Sequence, residues 1–167
     1  MNSIFNRRSV RTFLDKEVES SKVELLLKAA MQAPSAANQQ PWKFIVVRGS
    51  ENLKALAKYN VYAGSLNNAN IAIIVLADPT KMRIPEQWEQ DLGAATQNIL
   101  LEATELELGS VWLGCAPYRD KVEFIQNLYS LDKTLIPYSV IAIGYPKNEN
   151  ANHYIDRYNE DDVKYIG

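Results

Sequence analysis

Six consecutive apolar residues, Ile71-Ala-Ile-Ile-Val-Leu76, give the strongest structural signal in the sequence. Successive side chains of a strand point to opposite faces of its sheet, so a run without polar residues predicts a central strand that is covered on both faces. The run is far too short for a transmembrane helix, which needs about 20 apolar residues. No membrane span is therefore expected.

Signals for helices and further strands alternate on both sides of this run. Helices are predicted from a Ser21–Glu24 capping box to a stop at Pro34, after a Ser50 cap, over residues 85–108 with Gly109 as the stop, and after an Asp120–Glu123 cap. Further strands are predicted over residues 44–47, 111–113 and 138–143. The helix over residues 85–108 is apolar around much of its circumference, which indicates burial on two sides.

The composition predicts one globular domain over residues 1–167 and excludes several kinds of site. One cysteine, Cys115, rules out an internal disulfide and a cysteine-based zinc site, and one histidine, His153, leaves little for a histidine metal site or a Ser-His triad. The net charge of −2 disfavours a nucleic-acid binder that relies on bulk positive charge. No signal-peptide pattern is present, so a cytoplasmic location is expected. Cys115 is expected to be a packed thiol and His153 a surface residue.

The alternation of helices and strands invites a nucleotide-binding interpretation, but its fingerprints are absent from the sequence. No predicted strand is followed by G-x-G-x-x-G, and there is no G-x-x-x-x-G-K-[ST] loop. The turn Arg48-Gly49-Ser50-Glu51 has one glycine and an acid where a phosphate loop needs several exposed amides. Rossmann, P-loop and flavodoxin-like sites are therefore disfavoured.

Positive charge is concentrated near the N-terminus. Arg7, Arg8 and Arg11 lie within five residues, with Ser9 among them, next to a short helical signal that begins at Ser3. Guanidinium groups are planar forked donors that match phosphate oxygens, so the cluster can bind one anion. The alternative is a solvated basic N-terminus, and the spacing alone leaves both open.

A second unusual segment is the loop Pro34-Ser-Ala-Ala-Asn-Gln-Gln-Pro-Trp42, which joins a predicted helix to a predicted strand. Its small residues and amide side chains can bring donors and acceptors close to a flat ligand. The alternative is structural, with Asn38 and Gln40 satisfying loop backbone and Trp42 packing in the core.

Four segments together resemble the FMN-dependent nitroreductase family in order and spacing, namely Arg7-Arg-Ser-Val-Arg11, Pro34 to Trp42, Asp91-Leu-Gly-Ala-Ala-Thr-Gln-Asn98 and Gly109-Ser-Val-Trp-Leu-Gly114. An Ile143-Gly-Tyr-Pro146 turn extends the resemblance. It implies an α+β fold with a mixed central sheet flanked by helices, and an intertwined homodimer with FMN at the subunit interface. It also implies that the C-terminal segment, here Val163 to Ile166, pairs with the partner's sheet.

The resemblance assigns site residues by matching position, and none of them is a catalytic acid or base or a metal ligand. The implied FMN-binding residues are Arg7 and Ser9 at the phosphate and ribityl chain, Arg8 beside them, Arg11 near N1 and O2 of the isoalloxazine, Pro34, Ser35, Ala36 and Asn38 from the other subunit, Leu113 and Gly114 with a backbone N–H facing N5, and Arg157 at the phosphate. Ile155 stands where many members have a lysine, so part of the phosphate-binding charge would fall to Arg8.

The implied function is that of a ping-pong oxidoreductase. NADH or NADPH would reduce FMN and leave, and a nitroaromatic, a quinone or a similar acceptor would then occupy the same surface. Tyr62, Trp88 and Tyr118 are candidates for lining that surface, although each could instead pack in the core or at a dimer contact. The alternatives are a specialised flavin enzyme of dehalogenation or flavin breakdown, a dimeric FMN-binding or storage protein without physiological NAD(P)H turnover, and a flavin-free interaction module.

Overall fold

The computed structural model of the protein describes residues 2–167, so Met1, the first residue of the predicted domain, lies outside the described residues. In chain order the helices and strands are α1 (Ser3–Asn6), α2 (Ser20–Met31), β1 (Trp42–Arg48), α3 (Ser50–Ala57), β2 (Ile71–Ala77), α4 (Trp88–Glu105), β3 (Gly109–Gly114), α5 (Arg119–Leu128) and β4 (Ile136–Gly144). The predicted helices and strands all form, with shifted ends.

The four strands form one sheet in the order β1-β2-β4-β3, and every neighbouring pair is antiparallel. The N-terminal segment adds a parallel bridge between Ser9 and Ser110 at the outer edge of β3. The predicted α+β class is confirmed, and within residues 2–167 the sheet is mixed only through this bridge. β2 and β4 lie in the interior of the sheet, and for β2 this agrees with its lack of polar residues.

Alternate residues of β2 belong to two hydrophobic clusters, one on each face of the sheet. The odd-numbered residues from Ile71 to Ala77 pack with α2 and α4, and the even-numbered residues from Ala72 to Leu76 pack with α3 and α5. Each fully buried Leu or Ile contributes about 1.5–3 kcal/mol to the free energy of unfolding. All seven residues of β2 are buried, which confirms the prediction of a central strand covered on both faces.

The predicted helix caps are wrong. α2 begins one residue before Ser21, with Glu19 at the N-cap, and Glu24 pairs with Lys28 at 2.7 Å instead of reaching back to the helix start. Ser50 is the first residue of α3, and α5 begins at Arg119, ahead of Asp120. None of these three helices has a side-chain cap hydrogen bond. The stability of these helices comes from their packed apolar faces, so a shift of the N-cap by one residue changes that stability little.

The longest helix is shorter than predicted, because residues 85–87 form a 3₁₀ turn and Glu107, at φ 62°, has left-handed backbone just beyond α4. Gly109 is not the stop residue but the first residue of β3. A Cβ at Gly109 would lie 2.6 Å from Cγ1 of Val10, so only glycine lets the N-terminal segment lie against this strand. No helix within residues 2–167 has both the length and the apolar composition needed to cross a bilayer.

Candidate functional site

Positive charge from the two ends of the chain meets at one cavity, here called the arginine cavity. Arg7, Arg8 and Arg157 line it, together with side chains of α1 and of the C-terminal tail (residues 153–167), and its volume is about 230 Å³. Burial lowers the pKa of Arg7 from its ordinary value, and the charges of Arg8 and Arg157 lower it further. Asp156 is the one carboxylate in the lining, and across residues 2–167 it forms no ion pair with these arginines. The cavity is therefore suited to an anion.

Asn152, a residue that sequence reasoning missed, holds this cavity in place. Its Oδ1 accepts the backbone N–H of Arg8 at 3.2 Å, and its Nδ2 donates to the carbonyl of Leu108 at 3.0 Å. The rings of Phe5 and Tyr154 meet edge to face, with centroids 5.9 Å apart, which joins α1 to the tail. A single asparagine in a polar segment gives no sequence signal for such a role.

An extended segment leads from the arginine cavity along the edge of β3. The backbone N–H of Val10 donates to the carbonyl of Ser110 at 2.9 Å, and Nη1 of Arg11 donates to the carbonyl of Ser9 at 3.3 Å. Ser9 itself is exposed. Extended backbone advances about 3.5 Å per residue, so the basic cluster is spread out. Arg11 lies at a different cavity from Arg7, and the three N-terminal arginines do not converge on one point.

Arg11 lines a larger cavity of about 540 Å³, here called the β3 cavity. Strand β3 and the start of α5 supply most of its wall, and Arg11 of the N-terminal segment and the loop after α3 supply the rest. The lining residues are Arg11, Asn60, Tyr62, Trp112, Leu113, Gly114, Tyr118 and Lys121. The structure thus brings together Arg11, Leu113 and Gly114, three of the residues to which the resemblance assigned the flavin ring.

Strand β3 is open on the side of this cavity at Gly114. A Cβ built at Gly114 would meet no heavy atom within 4 Å. The carbonyl of Ser110 faces outward to Val10, and backbone groups of alternate residues in an antiparallel strand point to the same edge. The N–H of Gly114 therefore points away from β4, whereas that of Leu113 points toward it. Gly114 is the residue able to donate to a ligand at this edge.

The loop between α2 and β1 is fixed by Gln39, which is 6% exposed. Its Oε1 accepts the backbone N–H groups of Arg83 and Ile84 at 2.9 Å each, and its Nε2 donates to the carbonyl of Ile84 and to the carboxylate of Asp91. Asp91, buried in the first turn of α4, also accepts the N–H of Ala36 at 2.9 Å. One buried amide and one buried carboxylate therefore set the position of the loop.

Sequence reasoning considered Asn38 and Gln40 for this structural role and missed Gln39 between them. Asn38 and Gln40 are both exposed, with φ of 52° and 47°, and Ala37 has φ 48°. Left-handed backbone is rare for residues other than glycine, costs on the order of 1 kcal/mol each, and persists where surrounding contacts impose it. Trp42 is buried at the start of β1, in agreement with the packing alternative.

Pro34, Ser35 and Ala36 line a third cavity of about 290 Å³ beside the start of α4, here called the loop cavity. It shares no lining residue with the arginine cavity or the β3 cavity, and Asn38 lines none of the three. Within one chain, the residues expected from the other subunit are thus not brought to the predicted flavin site.

Trp88, Cys115 and His153 also lie outside these cavities. Trp88 packs edge to face against Tyr138, which packs in the same way against Trp112, with centroids 5.8 Å apart in both pairs. Cys115 is fully buried, and burial raises the pKa of its thiol to about 12. His153 is an exposed residue of the tail.

Comparison with known proteins gives consistent results. Residues 4–72 and 57–145 match the model of the Nitroreductase family. An Archaeoglobus fulgidus protein with the provisional name NADH dehydrogenase/NAD(P)H nitroreductase is 42% identical over 165 residues, which cover 98% of this chain and 95% of that protein. A crystal structure from Clostridium acetobutylicum, provisionally named NADH oxidase, has a TM-score of 0.94 at 48% identity and 97% coverage of both chains.

A further solved structure was determined with a ligand. It is a provisionally named nitroreductase of Desulfovibrio desulfuricans in complex with FMN, with a TM-score of 0.84 at 31% identity, covering 99% of this chain and 95% of its own. The matched residues, the identity over nearly the full chain and the shared fold show that this chain belongs to the nitroreductase family.

Proposed function

We propose that this chain is an FMN-dependent oxidoreductase that oxidises NADH or NADPH and reduces nitroaromatics, quinones or similar acceptors by a ping-pong mechanism. One observation carries the proposal: the extended segment from Arg7 to Arg11 joins a basic cavity to a larger aromatic cavity. FMN has a phosphate at one end and a flat ring at the other, so its two parts match the two cavities in chemistry and in order.

The arginine cavity fits the phosphate end. Three guanidinium groups share it with one carboxylate, and the lowered pKa of Arg7 reflects burial beside like charges. A phosphate monoester would accept charge-assisted hydrogen bonds there and relieve the repulsion. Arg7, Arg8 and Arg157 would hold the phosphate, and the exposed Ser9 would bind the ribityl chain.

The β3 cavity fits the ring end. When bound, FMN supplies the redox chemistry, since it accepts a hydride from NADH or NADPH and passes two electrons to an acceptor. Arg11 would stabilise the negative charge that two-electron reduction leaves on the ring. The open backbone at Gly114 would let its N–H donate to the ring, and Tyr62 and Tyr118 would form a flat surface for a nicotinamide or an acceptor.

The active unit in this proposal is a homodimer with a site at each subunit contact. The loop cavity is separate from the β3 cavity within one chain, so Pro34, Ser35, Ala36 and Asn38 can complete a site only from a partner. The tail and α1 also carry exposed apolar side chains, which a second subunit would cover. The single domain and the cytoplasmic location remain predictions.

The experiment that tests the proposal is reconstitution with FMN followed by turnover. We expect the purified protein to bind FMN in a one-to-one ratio with each chain and to oxidise NADH or NADPH only when a nitroaromatic or quinone is added. Failure to bind FMN would refute the enzyme assignment. Tight FMN binding with slow oxidation for every acceptor would instead favour an FMN-binding or storage protein.

A further inference from the structure

The β3 cavity is positively charged as well as aromatic. Arg11 and Lys121 are both in its lining, and none of the eight lining residues is an aspartate or glutamate. Neither cation forms an ion pair with any residue in 2–167. If Arg11 is used by the flavin ring, Lys121 remains as a cation for the molecule that lies on that ring.

Lys121 occupies a position that helix stability does not explain. It lies in the first turn of α5, where the helix dipole makes a cation unfavourable, and within residues 2–167 it forms no ion pair with a carboxylate. On the same turn, Arg119 pairs with Glu123 at 2.7 Å. Asp120, the adjacent acid, is not in the lining of the cavity. The half-buried Lys121 is therefore a positive charge held at the cavity wall.

The ring of Tyr118 fixes where this charge lies. Nζ of Lys121 is 3.9 Å from the centroid of the Tyr118 ring, a cation–π contact that holds the ammonium at the ring surface. Tyr62, Tyr118 and Trp112 supply flat apolar surface in the same lining. A ligand that satisfies both features has a planar aromatic body and an anionic substituent.

We propose that the β3 cavity selects planar aromatic acceptors that carry a carboxylate or sulfonate, and that Lys121 binds this anionic group. The inference rests on the proposed function and names its acceptor class. For a nitro acid, NADH and one proton supply two electrons and two protons, which convert the nitro group to a nitroso group and water. The carboxylate is not changed in the reaction, so its role is recognition.

Equilibrium binding tests the inference without turnover. The FMN-loaded protein is titrated with 2-naphthoate and with 2-naphthamide, which have the same ring but differ in charge, and the affinities are measured by calorimetry. The naphthoate should bind about five- to tenfold more tightly than the amide, a size typical of a partly exposed charge-assisted contact. The preference should disappear in Lys121→Gln, persist in Lys121→Arg, and persist in Lys54→Gln, which removes an exposed lysine of α3.

Turnover provides the second measurement. The ratio of kcat/KM for 4-nitrobenzoate to that for 4-nitrobenzamide should fall about five- to tenfold in Lys121→Gln, mainly through KM, and should also fall as added salt shortens the Debye length. Equal binding of both naphthalene probes, or an unchanged ratio of kcat/KM values in Lys121→Gln, would overturn the inference. If the neutral amide is still reduced, the proposed function remains intact. A Lys121→Gln effect confined to NADPH, and absent with NADH, would place the anion on the donor and would also overturn it.

Discussion

The guanidinium group of Arg7 lies where a positive charge is unfavourable unless an anion is present. Burial lowers its pKa first, and the charges of Arg8 and Arg157 lower it further. A residue kept for stability alone would not be placed beside two like charges in a partly buried cavity. This placement supports the proposal that Arg7 binds the phosphate of FMN.

Arg7→Ala should separate binding from stability. Loss of a charge-assisted bond to phosphate should weaken FMN binding by about 1.5–3 kcal/mol, whereas the apoprotein should lose less than about 0.5 kcal/mol of unfolding free energy because a like charge is removed. Fluorescence quenching of FMN and urea unfolding measure the two quantities. Arg119→Ala, which removes an exposed guanidinium paired with Glu123, is the matched control. Unchanged FMN affinity in Arg7→Ala would refute the phosphate assignment.

Ionisation of the Cys115 thiol makes the free energy of unfolding depend on pH in the alkaline range. Its pKa is raised to about 12 by burial, above the ordinary value of 9.0 that applies in the unfolded chain. The folded state therefore binds the thiol proton more tightly, so this stabilisation is fully present below about pH 9 and is lost as the pH rises toward 12. Burial also raises the pKa of Tyr59, so ionisation of its hydroxyl destabilises the folded state in the same way, but this loss of stability begins at higher pH.

The difference between wild type and Cys115→Ala isolates this effect. Between about pH 8 and about pH 10, wild type should lose about 1–2 kcal/mol more unfolding free energy than Cys115→Ala, which has no thiol to ionise. Urea unfolding at each pH provides the measurement. The alanine variant should be less stable than wild type at neutral pH because the thiol packs in the core. Parallel pH profiles for the two proteins would contradict the assignment.

At the scale of elements, the loop between α2 and β1 depends on contacts from α4. In Asp91→Asn the new amide would present N–H to Gln39 Nε2 or to the N–H of Ala36, and Gln39 cannot turn over without losing the bonds from Arg83 and Ile84. A buried donor would be left unpaired, so we expect a loss of about 1–3 kcal/mol in unfolding free energy. The amide of Ala36 should also exchange faster with solvent.

The control for this prediction is Glu123→Gln, which changes an exposed carboxylate in a helix and should alter stability by less than about 0.5 kcal/mol. If the Ala36 amide of Asp91→Asn stays as protected as in wild type, the loop is fixed by its own backbone and not by α4.

Helices and strands were predictable from the sequence where one contribution to the folding free energy dominates. β2 is an example, because burial on both faces excludes polar residues and leaves an unambiguous run. The first residues of the helices were not predictable. Ser21 and Asp120 differ from their neighbours in capping free energy by less than the packing of the whole helix contributes to stability. The arginine cavity joins Arg7 to Arg157, and only the family resemblance linked them, because no local pattern connects two ends of a chain.

The roles of Gln39 and Asn152 were beyond sequence reasoning for a related reason. Each side chain bonds backbone groups that are distant in sequence, so its importance depends on the tertiary structure. Gln39 and Gln40 are adjacent and identical in type, yet one is buried and the other exposed. In an irregular loop, buried and exposed residues do not alternate with a regular period, so no pattern in the sequence identifies them.

At the scale of the molecule, the tail is the part that packs least against the rest of its own chain. Residues 153–167 are all exposed, and they include large apolar side chains such as Tyr158, Tyr165 and Ile166, which are 70%, 81% and 87% exposed. Exposed apolar surface of this extent is typical of an interaction site, which supports the proposed homodimer. In the proposed homodimer, the tail provides both the contact between subunits and Arg157 for the phosphate.

Deleting residues 153–167 should therefore convert the dimer to a monomer and abolish tight FMN binding. The deletion leaves Asn152 and both hydrophobic clusters, so the far-ultraviolet circular dichroism should remain that of a folded protein. Sedimentation equilibrium measures the change in mass. Arg157→Ala, which removes one side chain and leaves the rest of the tail, should stay dimeric and lose about 1.5–3 kcal/mol of FMN affinity. A truncated chain that is folded and still dimeric would show that α1 and the helices, and not the tail, hold the subunits together.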